Sequence, residues 1–132
     1  MNNKSFKLGL LSLFLMLSFH IQAQEGMPKG WKVGSQAYTF RLFSLEETLE
    51  KLNSIGVKYV EMYPGQKISK SGNETTDFTS ITADGKAKIK ALLNKYDIEA
   101  VAYGVVNASD EDLPKLFDFA KELGIGILTS ES

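Results

Sequence analysis

Residues 44–63, with the sequence SLEETLEKLNSIGVKYVEMY, predict a helix that leads directly into a strand. Ser44 and Glu47 have the spacing of a capping box, in which each side chain satisfies the backbone amide of the other residue. Gly56 stands where a left-handed residue commonly ends a helix, and residues 57–63 are rich in β-branched and aromatic side chains. Between these signals the apolar residues recur at helical spacing, at Leu45, Leu49, Leu52 and Ile55. This segment is therefore the second half of a β-α-β unit.

The rest of the sequence repeats this unit. Further strands are predicted over residues 31–40, over residues 98–106 and from residue 125; a second helix begins near Thr82 or Ala83, and a third ends at Gly124. Because these strands are apolar along nearly their whole length, both faces of the sheet should be covered, which indicates parallel strands. The predicted fold class is α/β, with about four strands and three helices of a (β/α)8 barrel. The full barrel needs about 250 residues, so residues 24–132 are interpreted as its N-terminal half. A complete small doubly wound domain is the alternative.

Composition excludes several classes of function. The chain of 132 residues is 43% hydrophobic and 23% charged, as folded proteins are, and its net charge of −1 argues against a nucleic-acid partner. It contains no cysteine, which excludes a disulfide framework, a thiolate metal site and a cysteine nucleophile. His20 is the only histidine.

Residues 1–23 are predicted to be a secretory signal. Lys4 and Lys7 precede an apolar run at residues 8–19, and Ala23 offers a small residue for cleavage before Gln24. The run is shorter than the roughly 20 residues that span a bilayer, although a retained membrane anchor is the alternative. The protein is thus expected to be exported to the periplasm or the extracellular space, without a stable membrane anchor after cleavage. Cleavage would also remove His20, which excludes a serine–histidine triad and leaves only oxygen ligands for any metal site of this chain alone.

Glu61 and Glu131 are the predicted catalytic residues. Glu61 lies near the C-terminal end of the second predicted strand, and Glu131 lies at the corresponding end of the fourth. In a barrel both carboxylates would face one mouth, an arrangement suited to general acid–base work or to metal binding. The alternative for Glu61 is a solvated or ion-paired strand-end residue, and Glu131 is close enough to the chain end to be frayed.

Three further residues are predicted to bind substrate. Gln36 and Tyr38 share one face at the end of the first predicted strand, and Tyr63 shares the face of Glu61. An amide and phenols at these positions could hydrogen-bond a polyol, although Tyr38 could equally fill the barrel. Tyr103 is interpreted as a packing residue, and Arg41 either binds an anion or covers the rim.

Two stretches carry a resemblance to a known family. The sequence GSQAYTF at residues 34–40, followed by the capped helix and by YVEMYPGQ at residues 59–66, resembles the xylose-isomerase-like TIM barrels. These include sugar isomerases and epimerases and the endonuclease IV type of abasic-site nuclease. The chain is most similar to an exported bacterial group labelled sugar phosphate isomerase/epimerase, and the resemblance covers residues 32–132.

The resemblance implies a chemistry for the full-length protein. Members typically bind a divalent metal ion through Glu, Asp and His side chains at the C-terminal mouth, and use carboxylates to move a proton between sugar carbons. It implies that Glu61 and Glu131 line this mouth, but it assigns neither residue as a metal ligand. The metal ligands are therefore unknown, and Glu131 is the best candidate. Most ligands of the family come from later strands, so these residues alone are not expected to retain a metal ion.

The expected activity is isomerase or epimerase action on a small carbohydrate, a free sugar or glycoside if the protein is exported. The alternatives are lyase or hydrolase action on oxidised glycosides, and a non-catalytic carbohydrate-binding or vestigial half-barrel. As a half-barrel, the chain is expected to be inactive by itself and to self-associate.

Overall fold

The computed structural model describes residues 28–131. The predicted secretory signal at residues 1–23 lies outside the described residues. The chain divides between Trp31 and Lys32, and everything below concerns the second unit, Lys32–Ser132. Between Pro28 and Glu131, no helix combines the length and the apolar character that crossing a membrane requires.

Four parallel strands and three helices alternate along the second unit. The strands are hydrogen-bonded in chain order, each beside the next, so that every helix connects neighbouring strands. The predicted α/β class is therefore confirmed, and the arrangement is consistent with part of a (β/α) barrel. The elements are β1 (Gly34–Gln36), a 3₁₀ helix (Ala37–Phe40), α1 (Leu45–Ser54), β2 (Tyr59–Met62), α2 (Ala83–Tyr96), β3 (Glu99–Val106), α3 (Leu113–Leu123) and β4 (Ile127–Ser130).

The first strand is shorter than its sequence pattern predicts. A strand over residues 31–40 was expected, but only Gly34–Gln36 pairs with β2, and residues 37–40 form the 3₁₀ helix. The backbone amide of Arg41 donates to the carbonyl of Tyr38 (3.1 Å), and that of Phe43 donates to the carbonyl of Phe40 (2.8 Å). These turns bring the chain back to the start of α1 within a few residues. The prediction that Gln36 and Tyr38 share a strand face is therefore wrong.

The N-terminus of α1 has the predicted capping box. The hydroxyl of Ser44 accepts a hydrogen bond from the amide of Glu47 (3.3 Å), and the amide of Ser44 donates to the Glu47 carboxylate (3.0 Å). The two following amides, of Leu45 and Glu46, donate to carbonyls of the loop after β2 at 2.8 and 3.1 Å. The backbone amides in the first turn of α1 therefore have hydrogen-bond acceptors within the protein. Two of these hydrogen bonds also hold the loop after β2 against the helix.

The capping box predicts that the stability of the fold depends on pH. Hydrogen bonds from the Ser44 amide and hydroxyl hold the pKa of Glu47 below its usual value of 4.5. A lowered folded-state pKa means that the carboxylate stabilises the fold above pH 4.5 and that this contribution is lost as the pH falls through the lowered pKa. Glu47→Gln should therefore lower the free energy of unfolding at neutral pH but not in strong acid. Urea unfolding at both pH values checks this, with Glu50→Gln on the exposed side of α1 as the control; an equal loss at both pH values would contradict it.

The core lies between the helices and one face of the sheet. Val60 and Met62 of β2 are fully buried on this face, and Tyr59 and Glu61, which alternate with them, are only partly buried on the other. This confirms the alternation predicted for the second strand. The helices contribute Leu45, Leu49, Leu52, Ile89, Leu93, Leu116, Phe119 and Ala120.

Tyr103 of β3 is a packing residue, as predicted. Its ring is fully buried and lies 4.8 Å from the ring of Phe119 on α3, measured between centroids. Its hydroxyl donates to the carbonyl of Thr76 at 2.8 Å, so that the loop between β2 and α2 is tied to the core. Burial raises the pKa of Tyr103 well above its usual value.

Candidate functional site

The sheet face opposite the helices, called the inner face below, carries the predicted residues Gln36 and Glu61. Gln36 of β1 pairs with Glu61 of β2, Glu61 with Ala102 of β3, and Ala102 with Ile127 of β4. Residues that pair directly in neighbouring strands point to the same face of the sheet. Because the helix side is occupied by Val60, Glu61 and its neighbours in this row project onto the inner face. The structure thus brings Gln36 and Glu61 together.

Glu61 is held by a residue that the sequence analysis missed. The hydroxyl of Thr129 on β4 donates to Oε1 of Glu61 at 3.0 Å, although β3 lies between their two strands. This contact fixes one oxygen of the carboxylate. Among residues 28–131, no group donates a hydrogen bond to Oε2 of Glu61, so this oxygen is available to a substrate.

A glycine in β3 makes this contact possible. A Cβ atom on Gly104 would lie 1.9 Å from Oγ1 of Thr129 and 2.5 Å from its carbonyl oxygen, far inside contact distance. The pairing of β3 with β4 is also irregular between Tyr103 and Val106. An isolated glycine in an apolar strand commonly marks a bulge or a close backbone approach, so Gly104 is the one sequence signal that could have indicated a close approach here.

Replacement of Gly104 should therefore disturb the fold around Glu61. Gly104→Ala is expected to lower the free energy of unfolding by about 1–3 kcal/mol, the usual range for an added group with no space to occupy. Gly126→Ala is the matched control, because a Cβ atom there has no neighbour within 4 Å. Urea unfolding of both variants measures the free energy of unfolding. Equal values for the two variants would show that β3 and β4 can move apart around the added Cβ atom without a loss of stability.

Tyr38 and Tyr63, predicted to bind substrate, are also brought together. Tyr38 projects from the 3₁₀ helix and is 52% exposed, and its ring meets that of Tyr63 edge to face, with centroids 5.1 Å apart. The guanidinium of Arg41 lies 5.5 Å from the centre of the Tyr38 ring. Burial, and secondarily the neighbouring Tyr38, raises the pKa of Tyr63, so its phenol remains a hydrogen-bond donor at neutral pH. This aromatic pair lies beyond the C-terminal ends of β1 and β2.

Glu131 is not brought into the arrangement around Glu61. It is exposed and lies one residue beyond the end of β4, and within the described part of the chain it takes part in no hydrogen bond or ion pair. The residue of β4 that contacts Glu61 is Thr129.

The described residues do not by themselves form a metal site. Nowhere in residues 28–131 do three His, Asp, Glu or Cys side chains come together in a way that could hold a metal ion. The row on the inner face supplies one carboxylate, Glu61, with an amide and a hydroxyl beside it. A divalent cation is usually held by more carboxylate or imidazole ligands than this, so the donor set does not fit the metal that the family resemblance implies.

A cavity of about 800 Å³ lies at the opposite end of the sheet, where β2 and β3 begin. Four of its charged side chains are paired with one another: Lys58 is 2.8 Å from Asp97, and Lys90 is 3.4 Å from Glu122. In barrels of parallel strands this end contributes to stability rather than to chemistry. We therefore interpret the cavity as a crevice between helix ends.

Comparison with known proteins finds similarity to a solved structure. No family model and no curated protein matches the chain. A crystal structure of an uncharacterised protein from Parabacteroides distasonis ATCC 8503 is similar, with a TM-score of 0.70 and 29% sequence identity. The match covers 76% of this chain and 42% of that protein, so the chain spans less than half the length of its solved relative.

Proposed function

We propose that the chain is part of a carbohydrate isomerase or epimerase in which Glu61 moves a proton on the substrate. The observation that carries this proposal is the placement of Glu61 on the inner face, with Oε1 fixed by Thr129 and Oε2 available. A carboxylate held in one orientation on an otherwise apolar strand is suited to general base catalysis. The resemblance of residues 34–40 and 59–66 to the xylose-isomerase-like barrels supports the same chemistry.

In the proposed reaction, Oε2 of Glu61 removes the hydrogen from the carbon next to a sugar carbonyl. The C–H electron pair moves to the carbonyl and forms an enediol or enediolate. For isomerisation, the former carbonyl oxygen takes up a proton, the neighbouring hydroxyl releases one, and the carboxyl group of Glu61 returns its proton to the former carbonyl carbon. For epimerisation, water protonates the original carbon on its other face, and the proton held by Glu61 neutralises the hydroxide that results. Gln36 and the phenols of Tyr38 and Tyr63 hydrogen-bond the sugar hydroxyls. No step is assigned to a metal ion, because the described residues do not make up a site for one.

Carbohydrate binding without catalysis is the second candidate. The observation that favours it is the half-exposed Tyr38 ring beside Tyr63, since aromatic rings and phenols bind sugars without any reaction. The predicted secretory signal makes a free sugar or a glycoside the better candidate ligand in either case.

Hydrogen exchange with solvent separates the two functions. The full-length protein, meaning the product of the complete reading frame that contains these 132 residues, is incubated in D₂O with a panel of aldoses, ketoses and 3-keto-glycosides. Proton transfer places deuterium on the carbon next to the carbonyl, which NMR detects even when the net conversion is small. Exchange supports the isomerase or epimerase. Saturable binding without any exchange would contradict it and favour the binding protein.

A further inference from the structure

One polar group on the inner face holds the carboxylate of Glu61. Its row neighbours Ala102 and Ile127 are apolar, and within residues 28–131 no basic side chain forms an ion pair with it. In the same part of the chain, the hydroxyl of Thr129 is the group that hydrogen-bonds the carboxylate, at 3.0 Å from Oε1. The direction of the Glu61 carboxylate therefore depends on a neutral hydroxyl, which leaves its negative charge unpaired.

The Thr129 hydroxyl is itself confined by the backbone of β3. A Cβ atom added at Gly104 would lie 1.9 Å from Oγ1 of Thr129 and 3.0 Å from its Cβ atom. The hydroxyl thus occupies the place that a side chain of β3 would otherwise take. Threonine is β-branched, which restricts rotation about its first side-chain torsion. The hydroxyl is therefore held between Gly104 and Glu61.

This hydrogen bond distinguishes the two oxygens of Glu61. The last torsion of a glutamate side chain is broad, so an unheld carboxylate rotates and presents either oxygen in many directions. With Oε1 bonded to Thr129, rotation would break the hydrogen bond, and Oε2 keeps one direction. Proton removal from carbon is sensitive to such alignment, since a displacement of about 1 Å can slow a reaction about 10²-fold.

We propose that Thr129 is a positioning residue for the reaction and that Gly104 positions Thr129 in turn. The inference rests on the proposed function, since it concerns the same base, and it adds a determinant of rate that lies two strands away from that base. Thr129 holds Oε1 so that Oε2 faces the substrate carbon, and the missing side chain of Gly104 leaves the room for this contact. Because the hydroxyl is engaged by Glu61 rather than by the sugar, its loss should lower kcat and leave KM unchanged.

Two substitutions of Thr129 in the full-length protein test the hydroxyl. Thr129→Val keeps the β-branched shape and removes the donor, and it should lower kcat for deuterium exchange about 10- to 100-fold, the usual effect of losing a hydrogen bond to a charged group. Thr129→Ser keeps the donor and should stay within about threefold of the parent. The matched control is Thr79→Val, which removes an exposed threonine hydroxyl that donates to the Asp77 carboxylate at 2.7 Å, and it should leave kcat unchanged. The probe is the sugar of the D₂O panel that the parent exchanges fastest.

A double-variant cycle tests the part assigned to Gly104. Gly104→Ala should lower kcat by about as much as Thr129→Val, because both changes break the contact of Thr129 with Glu61. The variant that carries both substitutions should then lose no more than either alone, since residues that act through one contact are not additive. Losses that multiply in the double variant would overturn the role of Gly104. If Gly104→Ala does not fold, the pair of Thr129 variants decides the proposal.

The results separate failure of this inference from failure of the proposed function. Slow exchange by Glu61→Gln together with parent-like exchange by Thr129→Val would overturn the positioning role and leave Glu61 as the base. Equal losses in Thr129→Val and Thr129→Ser, or a rise in KM with a lowered thermal midpoint, would assign Thr129 a purely structural role and overturn the inference. A parent that exchanges no deuterium with any sugar of the panel would overturn the proposed function and this inference together.

Discussion

The Glu61→Gln variant of the full-length protein should exchange the substrate hydrogen about 10²- to 10⁴-fold more slowly than the parent, which is the usual contribution of a general base. Glutamine has the size of glutamate and keeps an oxygen that can accept the hydrogen bond from Thr129. The fold should therefore be retained while the basic oxygen is lost. Deuterium incorporation measures the loss of exchange, and the thermal midpoint of unfolding shows whether the fold is retained.

Glu50→Gln is the control for this prediction, since Glu50 is an exposed carboxylate on α1 and should affect neither measurement. Parent-like exchange by Glu61→Gln would show that Glu61 is an ordinary strand-end residue. Glu131→Gln remains a separate prediction of reduced exchange. Because Glu131 is exposed and lies beyond β4, a large loss in that variant would require the full-length protein to bring its carboxylate into the mouth.

Features that depend on neighbours along the chain could be predicted from the sequence. The capping box of α1, the start of α2 after Thr82 and the left-handed Gly124 at the end of α3 each depend on a few consecutive residues. The alternation along β2 is equally local, and it assigned Glu61 to the inner face correctly. Local rules therefore located the candidate base and the elements that support it.

Features that depend on the pairing of distant strands could not be predicted. The contact of Thr129 with Glu61 requires the register of three strands and the space left by Gly104, and no single segment encodes it. The 3₁₀ helix at Ala37–Phe40 has the aromatic and β-branched residues of a strand, and tertiary packing overrides that propensity.

A chain of these 132 residues alone should be catalytically inactive and should self-associate, with the inner face as its contact surface. Within the described sheet, β1 and β4 each have a neighbouring strand on one side only, and unpaired strand edges recruit other chains. The inner face also leaves apolar surface in water, because Ile127, in the same row as Glu61, is 56% exposed. The similar solved structure is of a longer protein, of which this chain matches 42%.

Two lysine substitutions at equally exposed apolar residues show which surface makes the contact. Ile127→Lys places a charge on the inner face, and Phe117→Lys places one on the outer side of α3, where Phe117 is 58% exposed. Burying an unpaired ammonium is costly, so Ile127→Lys should weaken self-association at least about tenfold, whereas Phe117→Lys should leave it unchanged. Sedimentation equilibrium over a range of concentrations measures both. If Phe117→Lys dissociates the assembly instead, the helices form the contact. If the parent chain is a stable, monodisperse monomer that unfolds cooperatively, the sheet needs no further cover, and a complete small domain becomes the better description.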